Sequence, residues 1–170
     1  MARTDSFFIR QTIDAGNSAA FNQVDVDLGA YVDALGKSVL RIHNIQVTYS
    51  DASGRSSVVS GNEVGVAQWQ LTTQSQGDIV RDDNRSVISS GRVHMFNDQG
   101  VDKLASIVTD ANGINVMDWT NGYLIAVEQM YLGGSASSAF VGDAYITLVL
   151  ECTVETMTSS AAMALALSQQ

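Results

Sequence analysis

Two histidines and one cysteine are the side chains of this sequence best suited to nucleophilic or metal chemistry. His43 and His94 lie in segments that alternate like β-strands, and Cys152 occupies an apolar position of another such segment. A cysteine nucleophile needs a base beside it, and a zinc site needs several cysteines or histidines together. A lone cysteine on the inward side of a strand behaves instead as a small apolar residue. We therefore expect Cys152 to belong to the core.

Acidic side chains offer two further candidates. Asp25 and Asp27 share one face of a strand about 7 Å apart, a spacing that could flank a glycosidic bond. They project from the polar side of that strand, which favours solvated surface carboxylates. A denser group of oxygen ligands lies in one loop and could hold calcium. Its members are Asp78, Asp82, Asp83 and Asn84, interleaved with Arg81 and Arg85.

Glycine-rich phosphate loops and serine-nucleophile motifs do not occur in the sequence. The segment 61–65 carries two glycines, but no helix with a lysine and a serine or threonine follows it. No serine stands in Gly-x-Ser-x-Gly. We therefore predict that the chain is not an enzyme and has no catalytic, cofactor-binding or metal-binding residues.

Composition narrows the class of protein further. The chain has 170 residues, 45% of them hydrophobic, which is enough for one folded domain. Only 16% are charged, and the formal net charge is −9. Such an acidic surface repels phosphate, so we predict no direct, sequence-specific nucleic-acid binding. A single cysteine excludes an internal disulfide.

Apolar residues alternate with polar ones along most of the chain, which predicts β-strands. The clearest alternation runs from 146 to 155. A slip at His43-Asn44 predicts either a β-bulge or a strand that bends between the two sheets. Residues 123–131 read as one strand whose inward side holds Tyr123, Ile125, Val127, Gln129 and Tyr131. Gly133-Gly134-Ser135 is predicted to be a turn. Further strands are predicted near 7–13, 24–28, 67–73 and 93–96, for about eight in total.

Helical patterns are few. Residues 30–37 and 101–109 could each form a short helix in a connection, the second with Val101, Leu104, Ala105 and Val108 on one face. The C-terminal stretch predicts a short helix capped by Ser159 or Ser160. So short a helix needs a surface to lie against, on its own subunit or a neighbouring one.

These elements predict an all-β fold, an eight-stranded antiparallel jelly-roll sandwich with one or two short helices in connections and a short C-terminal helix. We place the sandwich at 1–158 and the helical tail at 159–170. An immunoglobulin-like sandwich would leave too much chain over. A lipocalin-like barrel would be expected to use more regular hairpins.

Several predicted strands carry apolar residues in both phases of the alternation, that is, on both faces of the strand. Val149 lies out of phase with its apolar neighbours, and Leu124, Ala126, Met130 and Leu132 oppose the inward set of 123–131. If one face fills the core, the other leaves apolar side chains exposed in a monomer. We expect other copies of the chain to cover these outer faces.

The strand pattern resembles that of single jelly-roll capsid proteins of icosahedral viruses. The segments that carry the resemblance are 6–11, 24–31 leading into Leu40-Arg41-Ile42, and the long final strand 145–154 before a short tail. The resemblance implies a structural protein of the virion capsid, a homo-oligomer whose self-assembly forms the shell with loops at the symmetry axes.

One departure from that family concerns the genome. Capsid proteins that package single-stranded genomes directly resemble one another in a basic N-terminal arm, whereas this sequence has only Arg3 and Arg10 there. The resemblance then implies another component next to the genome, such as other capsid proteins, an internal membrane or counterions. The alternative function is a carbohydrate- or receptor-binding β-sandwich module of the phage-tail or adhesin type.

Overall fold

Two antiparallel β-sheets face each other in this protein, and a C-terminal helix packs on the outside of one of them. The structure, a computed structural model, describes residues 4–33, 37–104, 106–109 and 113–170, with the backbone alone for 106–109. The strands are β1 (Phe7–Gly16), β2 (Asn22–Asp27), β3 (Ser38–Ser50), β4 (Val64–Thr72), β5 (Val87–Phe96), β6 (Ser106–Thr109), β7 (Tyr123–Ile125), β8 (Gln129–Ala136) and β9 (Ala144–Thr156). Helix α1 spans Ser159–Ser168.

Strand pairing establishes the jelly roll. Sheet one has the order β1-β9-β3-β7, and sheet two has the order β2-β8-β4-β5-β6. Within them β1 pairs with β9, β2 with β8, β3 with β7 and β4 with β5, all antiparallel. The first strand thus pairs with the last, the second with the last but one, and so on toward the middle of the chain. A long antiparallel ribbon rolled into two sheets has this nested pairing, which defines a jelly roll. The predicted fold class is confirmed.

The core lies between the sheets and follows the alternation of the sequence. In β9 the side chains of Ile146, Leu148, Leu150 and Cys152 are completely buried. The register of β3 against β9 shifts between Ile42 and Asn44, which confirms the bulge predicted at His43-Asn44. In β4, Ala67, Trp69 and Leu71 point into the core as predicted.

The prediction of one strand over 123–131 is wrong. The chain leaves sheet one after β7, crosses between the sheets at 126–128 and enters sheet two as β8. The crossing changes the phase, so Met130 and Leu132 face the core while Gln129 is exposed.

The turn predicted at Gly133-Gly134-Ser135 is also wrong, since these residues continue β8. The sheet needs glycine at 133, because a Cβ there would lie 2.4 Å from the ring of Phe21. Close approach of an aromatic ring, and not chain reversal, accounts for this glycine.

The helix predicted over 101–109 is wrong as well. Residues 106–109 form strand β6, a ninth strand at the edge of sheet two, consistent with the β-branched run Ile107-Val108-Thr109. Ala105 lies outside the described residues. Across the described part of 30–37 the chain makes a turn at 29–31 followed by non-helical residues, and 34–36 are not described. A single 3₁₀ turn, Val116–Asp118, is the helical element observed in the described connections.

Helix α1 follows β9 directly and packs on the outer face of sheet one. Its N-cap is Thr158, one residue before the two predicted serines, and the Thr158 side chain accepts a hydrogen bond from the amide of Ala161. Ala162 and Ala166 pack against Val39 and Ala126. No helix among the described residues is long and apolar enough to span a membrane.

The exposed apolar outer faces expected from the second phase of the strands are largely absent among the described residues, although Phe8 of β1 is 56% exposed on the outer face of sheet one. Met130 and Leu132 belong to the core, and Ala126 lies beneath α1. Val149 remains on the outer face of sheet one, half-buried among polar neighbours. Polar, mostly uncharged side chains such as Gln68, Gln70, Thr12 and Thr147 occupy the outer strand positions. Apart from Phe8, the exposed large apolar side chains of the described residues lie at strand ends, in connections and on α1.

Candidate functional site

The two histidines and the cysteine do not form a catalytic group. His43 and Cys152 lie on neighbouring strands of sheet one, but they project from opposite faces. The His43 Nε2 atom lies 2.9 Å from Thr153 Oγ1 on the outer face, whereas Cys152 is buried in the core. His94 is on sheet two, where its ring stacks on that of Phe96 with centroids 6.4 Å apart. Both histidines thus make local contacts that need no shared chemistry.

The Cys152 thiol is strongly biased toward its protonated form. Burial, with a smaller contribution from the Glu151 carboxylate, raises the pKa of Cys152 from an ordinary value near 9 to about 12. A thiolate is the reactive form of cysteine, so this thiol is unreactive at neutral pH. Cys152 acts as the small apolar core residue that its strand position predicted.

The raised pKa makes stability fall at alkaline pH. The folded chain holds the Cys152 proton above pH 9, where the unfolded chain releases it, so the contribution is full below pH 9 and declines toward pH 12. We expect Cys152 to lower the free energy of unfolding by about 1 kcal/mol between pH 8 and pH 10. Urea titrations of the parent protein and of Cys152→Ala test this. The variant should be less stable at pH 8 but lose less stability by pH 10, and parallel curves would contradict the assignment.

The carboxylate candidates make separate local contacts. Asp25 and Asp27 are exposed on β2, and the Asp27 side chain accepts a hydrogen bond from the amide of Gly29 at 2.8 Å. In the proposed calcium loop, Asp78 accepts from the amide of Ile79, and Asp82 accepts from Ser90 Oγ at 2.8 Å. Asp83 pairs with Arg81 across 3.4 Å at the surface. Within the described ranges no three His, Cys, Asp or Glu side chains are grouped as metal ligands would be.

A cleft of 360 Å³ lies on the outer face of sheet two, beneath the connection between β4 and β5. Gln70 ties this connection down, since its side chain donates to the carbonyl of Asp78 and accepts from the amide of Val80. Polar side chains line the cleft, including Gln68, Arg92 and Ser90. Trp69 also borders the cleft, but its side chain is almost wholly buried in the core, with its indole Nε1 donating to the Tyr49 hydroxyl of sheet one at 3.1 Å.

The two glycines of segment 61–65 allow neighbouring loops to pack closely. A Cβ on Gly61 would lie 2.7 Å from the backbone nitrogen of Val101, and one on Gly65 would lie 3.0 Å from the ring of Phe140. Both glycines allow the connections between β3 and β4, β5 and β6, and β8 and β9 to meet at one end of the sandwich, which we call the apex.

Hydrogen bonds fix the three connections of the apex to one another. Val59 exchanges two backbone hydrogen bonds with Lys103, and the amide of Val141 donates to the carbonyl of Val58. The buried side-chain amide of Asn97 reaches the carbonyl oxygens of Val59, Ser60 and Val101 at 2.8, 3.2 and 3.0 Å. These hydrogen bonds fix the backbone positions from which the loop side chains project.

The apex carries a group of exposed apolar side chains, which we call the apex patch. Its members are Val64, Phe96, Val101, Leu104 and Val141. Val64 and Phe96 are paired across the ends of β4 and β5, and the other three lie on the tied connections. Val101 and Leu104 are the most exposed of them, at 64% and 60%. Apolar exposure concentrated on rigid loops is typical of an interaction surface.

A second exposed apolar surface lies near the other end of the sandwich, on α1. Met163 and Leu167 are 48% and 63% exposed on the side of the helix that faces away from sheet one. Gln169 anchors the helix. Its side chain donates to the carbonyl of Leu124 at 2.6 Å and accepts from the amide of Ala126 at 3.0 Å, and its carbonyl accepts from Thr73. We call Met163 and Leu167 the helix ridge.

Neither surface was predicted from the sequence. Val101 and Leu104 were assigned to a helix face, although their neighbours Gly100, Asp102 and Lys103 are loop-forming and polar. Apolar residues isolated among such neighbours were the available signal for the apex patch. For the helix ridge the signal was a C-terminal helix with apolar residues on every side.

Comparisons with known proteins give limited similarity. No family model and no curated protein matches the chain. Among solved structures, a chain of Desmodium yellow mottle tymovirus has a TM-score of 0.40 and 10% sequence identity, covering 89% of this chain and 87% of that chain. A chain of the empty head of turnip yellow mosaic virus has a TM-score of 0.32 and 9% identity, covering 91% of this chain and 82% of that one. At these scores the jelly-roll assignment rests on strand pairing alone.

Proposed function

We propose that this chain is a capsid subunit, which associates with copies of itself into the icosahedral shell of a virion and binds no nucleic acid strongly. The apex patch carries the proposal. Jelly rolls form viral capsids but also lectins and cupins, so the fold alone selects no function. Apolar side chains fixed on tied loops offer a surface that loses little conformational entropy on contact.

The position of the two apolar surfaces favours a shell over a simple dimer. The apex lies where β3 ends, and α1 packs on Val39 at the beginning of β3. Two surfaces at opposite ends of one subunit can each serve a different symmetry axis, whereas a two-fold dimer needs only one self-complementary surface. A closed shell requires more than one kind of contact.

Charge supports the part of the proposal that concerns the genome. The formal net charge is −9, and Arg10 is the one basic side chain among residues 4–16. A surface of this sign repels nucleic-acid phosphates. We therefore place another component, such as a second capsid protein, an internal membrane or counterions, between this subunit and the genome.

Charged substitutions in the apex patch should abolish assembly. We expect the purified protein to form uniform shells by negative-stain electron microscopy and light scattering. The double variant Val101→Asp/Leu104→Asp should stay folded, because both side chains are exposed, but should lose at least about 90% of the particles. Two like charges at a desolvated contact cost several kcal/mol for each pair of subunits.

Gln74→Asp/Gly77→Asp is the matched control, because it adds two carboxylates at exposed positions of the connection between β4 and β5. A Cβ on Gly77 meets nothing within 4 Å. This variant should assemble like the parent. A parent protein that remains a monomer at high concentration would contradict the proposed function, and equal assembly by both variants would remove the apex patch from it.

The cleft on sheet two favours a second candidate function, a carbohydrate- or receptor-binding module. Gln68, Ser90 and Arg92 supply hydrogen-bonding groups of the kind that sugars engage, in a cavity large enough for one or two sugar rings. A monomer or trimer whose thermal stability rises with an added glycan would support this candidate in place of the shell.

A further inference from the structure

We propose that the helix ridge packs against the helix ridge of a second copy across a two-fold axis, with Met163 of each chain contacting Leu167 of the other. This inference rests on the proposed function and deepens it, since it assigns one particular contact of the assembly to one element. The occupant of the surface is therefore the same surface of another copy.

The first support is that α1 is apolar on every side. Ala162 and Ala166 face sheet one, and their small side chains let the helix lie close to Val39 and Ala126. Leu165 is half-buried against the same cluster, whereas the other two large apolar side chains, Met163 and Leu167, are exposed on a different side of the helix. A helix that only had to dock on its own subunit would place polar residues at the exposed positions that Met163 and Leu167 occupy.

The distribution of charge favours a second copy of the chain as the partner of the helix ridge. The chain has a net charge of −9, yet residues 156–170 contain no charged side chain. Two copies repel each other over most of their acidic surfaces, and an uncharged surface lets them approach with the least repulsion. A basic partner would gain more by binding an acidic surface than by binding this helix.

Geometry supports a two-fold arrangement. Met163 and Leu167 are four residues apart, so they lie one above the other on the same side of the helix. When two such helices cross antiparallel, position 163 of one faces position 167 of the other, and the contact is self-complementary. The small side chains of Ser160 and Ala164, both exposed next to this ridge, leave room for close approach.

The ridge is also held in place before any partner binds. Thr158 caps the helix, the amide of Met157 donates to the carbonyl of Lys37, and Gln169 fastens the other end to β7 and the crossing after it. A fixed helix loses little entropy on association, which favours it as a docking element.

Cysteine cross-linking tests the contact directly. The single natural cysteine, Cys152, is buried, so any disulfide cross-link between chains comes from the cysteines introduced on the surface. We expect the full-length double variant Met163→Cys/Leu167→Cys, oxidised under assembly conditions, to run mostly as a covalent dimer without larger species on a non-reducing gel. Mass spectrometry should find the 163–167 link between chains. The matched control Gln74→Cys/Gly77→Cys, at exposed positions, should remain monomeric on the gel.

A charge-swap experiment gives a second readout. Met163→Lys/Leu167→Lys and Met163→Glu/Leu167→Glu should each lose the two-fold contact, and an equimolar mixture of the two should regain it, because opposite charges then face each other. Particles without cross-links would overturn this inference and leave the proposed shell standing, as would cross-linked ladders beyond the dimer. A covalent dimer from a chain that forms no particles would support the contact and contradict the shell. Binding of the parent to phosphatidylcholine vesicles, with no dimer, would assign the ridge to a membrane and overturn the inference.

Discussion

Leu148→Asp is expected to unfold the protein. Leu148 is fully buried in the middle of β9, which pairs with both β1 and β3 at the centre of sheet one. The substitution removes about 2–5 kcal/mol of apolar packing and adds the cost of a buried, unpaired carboxylate. Together these losses approach the whole stability of a typical domain. Circular dichroism and the yield of soluble protein measure the outcome.

Val149→Asp is the matched control, because Val149 is the next residue of the same strand and lies half-buried on the outer face. This variant should fold, with a loss of at most about 1–2 kcal/mol in urea titration. The pair of variants therefore tests the phase of β9 and not merely its tolerance of aspartate. A folded Leu148→Asp variant would show that the inward and outward faces of β9 have been exchanged.

The alternation of apolar and polar residues made the fold predictable where one face of a strand is buried and the other is exposed to solvent. β9 and β3 meet that condition, and even the bulge in β3 was visible as a slip of phase at His43-Asn44. The apolar side of a strand specifies its register, and an extra residue in the strand moves the apolar set to the other phase. A slip of phase within one strand therefore indicates a bulge.

The alternation of apolar and polar residues gave a wrong prediction where a short segment of the chain passes from one sheet to the other. Residues 123–131 read as one strand because β7, the crossing at 126–128 and β8 all carry apolar residues without proline between them. Ala126, at the start of the crossing, is buried by α1, an element more than thirty residues away in sequence. Burial by a distant element leaves no local pattern, so neither the crossing nor the burial of Ala126 could be deduced from the sequence.

The candidate surfaces were harder to predict than the fold for a related reason. The sequence showed a surplus of apolar residues but not where it would be exposed. Met130 and Leu132, assigned to an outer face, fill the core, whereas Val101 and Leu104, assigned to a helix, are exposed on the apex. Exposure of a loop residue depends on how the connections meet, and here it depends on hydrogen bonds from Asn97 to residues far apart in sequence.

Deletion of residues 160–170 is expected to preserve the β-sandwich while it removes assembly. The deletion takes away the contacts of Ala162 and Ala166 and the hydrogen bonds of Gln169 to Leu124, Ala126 and Thr73. It should lower the free energy of unfolding by about 3 kcal/mol and the Tm by about 6–12 °C. The far-UV spectrum should keep its β-sheet form, because the paired strands of both sheets end before residue 160.

Loss of assembly by the truncated chain could follow from lower stability alone, and Gln169→Ala separates the two causes. This variant loses the anchor but retains Met163 and Leu167, so it should lower stability by about 1–3 kcal/mol and still form particles. Light scattering at a temperature where both variants remain almost fully folded compares them fairly. Full assembly by the truncated chain would mean that α1 serves only its own subunit, and the apex patch would then have to supply every contact of the shell.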